Sequence, residues 1–299
     1  MKLKRRLIAL AVCAACNELA AQPVPLQGDF GGVGLMQTPT ARMMGEGNVS
    51  FGFSKVEPYG RLYLALQPFE WFEGVFRYTD VDTVAYAADV TGKQSTKDKG
   101  FDFKVRVWEE SRWLPQVAVG LRDIGGTSLF SGEYVVASKR WNDLDFSLGM
   151  GWGYLAKRGD IENPLGWLHD GFNTRPNGGG GQGGTVALSS FFRGPAALFG
   201  GVQWQTPWEP LQLKLEYEGN NYRNDYGGPT VKQDLALNYG ASYRLNDALT
   251  FHAGWERGNT MMIGVTLQGD FSPRSVSPRK VSDPPAEPGD SRSWVALGS

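Results

Sequence analysis

KGFDFKVRVWEESRWLPQVAVGLRDIGGTSLFSGEYVVASKRWNDLDFSLGMGWGYL, from Lys99 to Leu155, reads as four consecutive strands joined by two tight turns and one longer connection. Phe101, Phe103, Val105 and Val107 alternate with Asp102, Lys104, Arg106 and Trp108. Successive side chains of a strand point to opposite faces, so a period of two marks a sheet with one apolar and one wet face. The spacings of three and four that an amphipathic helix needs are missing. The unit recurs downstream. LQLKLEYEG sets Leu211, Leu213, Leu215 and Tyr217 against Gln212, Lys214, Glu216 and Glu218, and LALNYGASYRL repeats the alternation from Leu235 to Leu245.

Counted along the chain, about twelve such strands are expected. They fall near 48–56, 60–67, 71–81, 99–109, 115–123, 130–141, 143–155, 196–206, 211–219, 235–245, 249–257 and 260–269. Their connections sort by parity. The even-numbered joins, 68–70, 110–114, 142, 207–210 and 246–248, are all short, whereas 82–98, 156–195 and 220–234 are long odd-numbered ones. Long and short loops therefore lie at opposite ends of the sheet, the asymmetry of an outer-membrane barrel. Trp71, Trp113, Trp141 and Trp208 cluster at the short turns. Indole rings favour the boundary between hydrocarbon and water, so these read as one aromatic girdle.

Composition agrees with an all-β chain. Of 299 residues, 40 are glycine and 12% are aromatic, while the formal net charge is only −1. That balance gives no electrostatic case for nucleic acid as a partner. Beyond the N-terminus, no run approaches the roughly 18 apolar residues of a spanning helix.

Residues 1–21 have the layout of a signal peptide: Lys2, Lys4, Arg5 and Arg6, then the apolar Leu7 to Ala15, then small residues before Gln22. Cleavage after Ala21 removes Cys13 and Cys16, the only cysteines; the rival reading acylates Cys16 as a lipoprotein. Residues 22–47, punctuated by Gly31-Gly32, Gly34, Pro39 and Gly45, form an extended lead-in, periplasmic or plug-like, and 48–271 the barrel. Residues 272–299, rich in Pro, Ser and charge, are expected to be a disordered tail.

With the greasy face in lipid, the opposite face lines a lumen. Arg77, Lys104, Arg106, Arg122, Glu133 and Lys139 are the candidate ligand-contacting residues there, with Arg61, Glu73, Asp102, Lys214, Glu216, Arg244 and Glu256 beside them. Either these charges pair with one another and stiffen the wall, or they contact an anionic or hydroxyl-rich polymer. No catalytic residue is expected. His252 with Ser242 and Glu256 is the one conceivable hydrolytic set, but no GxSxG-type turn accompanies it. No metal-ligand spacing is present and no cofactor is implied.

PFEWFEGVFRYTDV (Pro68 to Val81), LPQVAVGLRDIGGTSLFSGEYVVASKR (Leu114 to Arg140) and LGMGWGYL (Leu148 to Leu155) together resemble the YjbH-type outer-membrane proteins. The resemblance runs from about Gly31 to Phe271. It implies a non-catalytic barrel in the outer membrane, associated with exopolysaccharide and capsule secretion and encoded with other polysaccharide-export components. Family members are commonly longer and carry a second barrel-like half. The expectation is therefore an antiparallel transmembrane β-barrel. Its partners would be outer-membrane lipid, polysaccharide and other exopolysaccharide-export proteins. A general solute porin is the alternative, and an outer-membrane hydrolase the third reading.

Overall fold

A computed structural model describes residues 23–85, 94–176, 188–223, 225–228 and 231–272. The expected signal peptide, Cys16 and the tail beyond Ser272 lie outside the described residues.

Each stretch of alternating residues forms a strand: β1 Asn48–Val56, β2 Tyr59–Phe69, β3 Phe72–Ala85, β4 Ser95–Trp108, β5 Gln116–Ile124, β6 Gly132–Trp141, β7 Leu144–Trp152, β8 Ala196–Gln205, β9 Leu211–Tyr217, β10 Leu237–Arg244, β11 Leu249–Glu256 and β12 Thr260–Asp270. Every strand pairs antiparallel with its chain neighbours, and β1 closes on β12 from Asn48↔Asp270 to Val56↔Met262. The chain is thus an all-β closed antiparallel barrel. Closure leaves no unpaired edge, the condition a sheet must meet to sit in hydrocarbon.

The joins lie where their parity put them. β3 and β4 run further than expected, so their connection shrinks to 86–94. β7 stops at Trp152, short of the expected 155, because Gly153 adopts a φ of +64° and turns the chain inward, burying Tyr154 and Leu155.

Phe51, Phe53, Leu64, Phe76, Leu215 and Phe251 are among the apolar side chains left exposed on the outer wall, the surface a bilayer covers. Trp71, Trp113, Trp141 and Trp208 project outward at the short-turn end, with Phe69 stacked on Trp71 at 5.4 Å. Trp108, expected on the wet face, joins them. The ladder slips between Arg106 and Trp108, so Trp108 comes opposite Val117 and changes face.

The inner wall is polar, with an exception of clear physical origin. Tyr63, Tyr134 and Phe199 point inward, each lying across a glycine: Gly52, Gly120 and Gly149. A Cβ on any of the three glycines would come within 2.3 Å of the ring. An aromatic ring over a cross-strand glycine covers exposed backbone and pins the register.

Residues 23–47 enter this interior. The chain comes in at the short-turn end, where Arg140 donates to the Pro23 carbonyl and Gln212 to that of Val24. It climbs to Phe30, folds back through the bridges Gln27↔Val33 and Gly34↔Pro39, and leaves beside Gln67, which accepts from the Met44 N–H. Phe30, Val33, Leu35 and Met36 are buried, each contributing about 1.5–3 kcal/mol of apolar transfer energy. The turn depends on glycine. Gly31 has a φ of +89°, and a Cβ there would stand 2.5 Å from the Tyr63 ring.

Candidate functional site

Wall and plug meet through charged side chains bonding to backbone. Glu216, on β9, accepts from the N–H groups of Met36 (2.9 Å), Gln37 (3.1 Å) and Thr38 (2.9 Å), from the Thr38 hydroxyl at 2.7 Å and from Asn238 at 2.8 Å. One strand position away in face, Lys214 donates to the carbonyls of Gly34 and Leu35 at 3.1 and 2.8 Å. Across the lumen, Glu73 accepts from the Val33 N–H at 3.0 Å, and its cross-strand partner Lys104 donates to the Val33 carbonyl at 3.1 Å. Glu73 and Lys104 also pair with each other at 3.0 Å. A compact segment without regular ladders must satisfy its N–H and C=O groups somewhere, and here the wall supplies the partners.

Nearer the short-turn end, Arg42 of the plug forms a two-pronged pair with Asp145 (2.8 and 2.7 Å) and reaches Glu110 at 2.6 Å. Deeper in, Gln37 bridges Asp29 and Glu256 at 2.8 and 2.7 Å. Charges of both signs line the lumen at this depth, with Glu73 and Asp102 among the cations of β3 to β5 and Lys214 beside Glu216 on β9. Arg61, Arg77, Lys104 and Arg122 come from β2 to β5, and Glu216 and Glu256 from β9 and β11. The cavities lined jointly by plug and wall are small, about 10 and 20 Å³, each the space of a single water.

Four of the six candidate residues face inward. Lys104 holds the plug as described, and Arg122 donates to the Gln37 carbonyl at 3.3 Å. Arg77 bonds Asp102 at 2.6 Å and lies over Phe30. Arg106 sits at the short-turn rim, paired with Glu109 at 2.7 Å.

Glu133 and Lys139 do not line the lumen. On β6 it is Tyr134, Val136 and Ser138 that point inward, because Tyr134 needs the space above Gly120. Lys139 therefore shares the outer face with Val135 and pairs with Glu110 at 3.0 Å beside the short turn. Glu133 lies at the opposite end, where Arg175 grips it at 2.7 and 2.9 Å and the Phe192 N–H donates at 2.9 Å.

His252 bonds the Ser242 hydroxyl at 2.9 Å through Nδ1 and the Thr266 hydroxyl at 2.9 Å through Nε2. Its second nitrogen therefore meets a hydroxyl where a hydrolytic triad requires a carboxylate, and Glu256 is engaged with Gln37. Among the described residues, no cluster of His, Cys, Asp and Glu is placed to hold a metal.

Missed from the sequence were Asp145, Gln116 and Ser138. They hold Arg42 and the backbone of Ala41, with Ser138 accepting from the Ala41 N–H at 2.9 Å and Gln116 donating to its carbonyl at 2.6 Å. Arg42, a lone charge in an otherwise uncharged stretch from Pro39 to Met44, was the available signal for a buried partner.

A closed transmembrane β-barrel whose lumen holds its own N-terminal segment is the class these features define. Over residues 26–296 the chain matches the YjbH family, described as exopolysaccharide biosynthesis protein YbjH, and it belongs to that family. It is 51% identical over 270 residues to the uncharacterized lipoprotein YjbH of Escherichia coli (strain K12), covering 89% of this chain and 38% of that relative. Among solved structures it is similar to the KdgM porin at 10% identity and a TM-score of 0.40, covering 75% of this chain and 99% of that one. The NanC porin is similar at 10% identity and a TM-score of 0.35, covering 75% and 98%.

Proposed function

We propose that this chain is a non-enzymatic outer-membrane conduit for exopolysaccharide, closed by residues 23–47 and opened by their withdrawal into the periplasm. The observation that carries the reading is the way the plug is held. Beside the buried apolar residues, its ties to the wall are largely hydrogen bonds and ion pairs, made to its backbone and to Gln37, Thr38 and Arg42, and both of its ends leave through the short-turn mouth. Polar bonds of this kind exchange readily with water once the lumen is wetted. Orientation follows the barrel rule that short turns face the periplasm and long loops face outward. Outer-membrane lipid surrounds the girdle, and exopolysaccharide-export proteins of the periplasm are the partners placed to pull the plug.

The test is a deletion strain scored for bound and released polysaccharide, complemented with the wild-type gene or with Glu216→Ala. Loss on deletion, recovery with wild type and an altered released fraction with Glu216→Ala support the conduit. Unchanged polysaccharide in the deletion strain, together with steady ion conductance by the wild-type protein in planar bilayers, makes it a general solute porin instead.

A further inference from the structure

At the level of Phe30 the wall carries more positive charge than it neutralises by itself. Arg61, Arg77 and Arg122 bring their guanidinium carbons to 4.2, 4.8 and 3.8 Å from the centre of the Phe30 ring. Arg77 has room for this because position 100 on the neighbouring strand is glycine, where a Cβ would stand 3.0 Å from its Nη2. Among the described residues, the wall carboxylate within ion-pair reach of these groups is Asp102, 2.6 Å from Arg77 and 3.8 Å from Arg122. The remaining carboxylate is Asp29, 4.0 Å from Arg61, and it belongs to the plug. Arg61 is fully buried, yet none of its guanidinium nitrogens has a hydrogen-bond acceptor among the described residues; Nε and Nη2 of Arg77 are also unpaired. Buried donors without acceptors destabilise the closed state, and an apolar side chain at position 61 avoids that penalty.

From this we infer that Arg61, Arg77 and Arg122 form a binding site for the carboxylates of an acidic saccharide, occupied in the closed barrel by Phe30 and Asp29. The inference rests on the conduit reading and adds the class of polymer. When the plug leaves, Asp29 leaves with it, and the three cations are left with Asp102 in ion-pair reach and the charge of Asp123 further from Arg77. The planar guanidinium presents paired N–H donors that match a carboxylate, a stronger contact than the cation–π stacking that holds Phe30. Tyr59, Phe130 and Tyr154 lie against the same residues, with Phe130 5.6 Å from Tyr59 and 5.2 Å from Tyr154. Their rings offer apolar faces to the C–H edges of a pyranose. Asp123 lies outside ion-pair reach of these arginines, its carboxylate accepting the Phe130 N–H at 2.9 Å, but its charge still attracts Arg77 and offsets part of the positive potential.

The experiment uses the full chain carrying Gly31→Val, which drives a side chain into Tyr63 and unseats the plug, in planar bilayers. Trigalacturonate is the probe and maltotriose its neutral control. Anion-selective current blocked by trigalacturonate and not by maltotriose is expected, with Arg61→Gln in the same background weakening the block about tenfold, the loss of a charge-assisted contact. A readout that needs no open pore is heat unfolding of the detergent-purified Phe30→Ala protein: trigalacturonate should raise the midpoint, maltotriose should not, and Arg61→Gln should abolish the rise. Equal block by both sugars, or block indifferent to Arg61→Gln, refutes the arginine site and leaves the conduit standing. A Gly31→Val barrel that carries no current removes the conduit, and the thermal shift then decides the arginine site by itself.

Discussion

Glu216 is a single carboxylate that closes the end of a backbone loop, receiving the N–H groups of Met36, Gln37 and Thr38 together. Converging N–H groups make a local anion cradle, and charge-assisted bonds in a water-poor interior are the strong ones. Glu216→Ala should therefore cost about 2–4 kcal/mol of plug docking, from several lost bonds of about 1.5–3 kcal/mol each partly offset by water. Hydrogen exchange across residues 26–43 measures it, with the strand amides unchanged. Gly31 acts by absence of a side chain. Gly31→Ala adds a Cβ 2.5 Å from the Tyr63 ring at a φ of +89°, so protease access to the lead-in should rise while the barrel stays folded in detergent.

Among the strands, β9 shows how one element serves two media. Leu213, Leu215 and Tyr217 face outward while Gln212, Lys214 and Glu216 are buried against the plug. Leu215→Arg near mid-membrane should cost roughly 2–4 kcal/mol of barrel stability, read as a lower urea midpoint in lipid vesicles. Lys214→Gln should leave that midpoint nearly unchanged and instead loosen the plug, because Lys214 bonds the Gly34 and Leu35 carbonyls. The connection after β9 has its own dependence on pH. Burial pushes the carboxyl of Asp225 up to about 6, against a helping hydrogen bond from the Gly227 N–H and the charge of Arg257. An acid whose folded pKa is raised holds its proton better when folded. The contribution of this group is therefore complete below the ordinary value of 3.8 and lost as pH rises through about 6. Exchange in the 218–236 connection, corrected for intrinsic rate, should be better protected at pH 4 than at pH 7, and Asp225→Asn should flatten the difference.

For the molecule as a whole, what the sequence made legible was whatever repeats along one strand. Period-two alternation located the strands, and the parity of the joins located the two mouths, because both are written in consecutive residues. Illegible was whatever depends on the neighbouring strand. For Glu133 and Lys139 the sequence Glu-Tyr-Val-Val-Ala-Ser-Lys permits either phase, and only Gly120 across the ladder selects the one with Tyr134 inward. Alternation alone puts Trp108 inside, because a slipped register leaves no mark in an isolated strand. From sequence alone, the charges of the lumen have each other or a polymer as partners. In the fold Glu73, Lys104, Lys214 and Glu216 bond largely to main-chain groups of residues 33–38, a partner with no charge pattern of its own to announce it.

The plug runs without a break into β1, whose first residue follows Gly47, where the N–H bonds the Gln67 carbonyl. A stopper on such a leash is never released into bulk solution. In the proposed conduit re-closure is therefore unimolecular, driven by an effective local concentration of about millimolar for so short a tether, and its speed is independent of how many copies the cell makes. Resealing of that proposed conduit thus needs no second protein, and a device acting on it has only to supply the outward stroke.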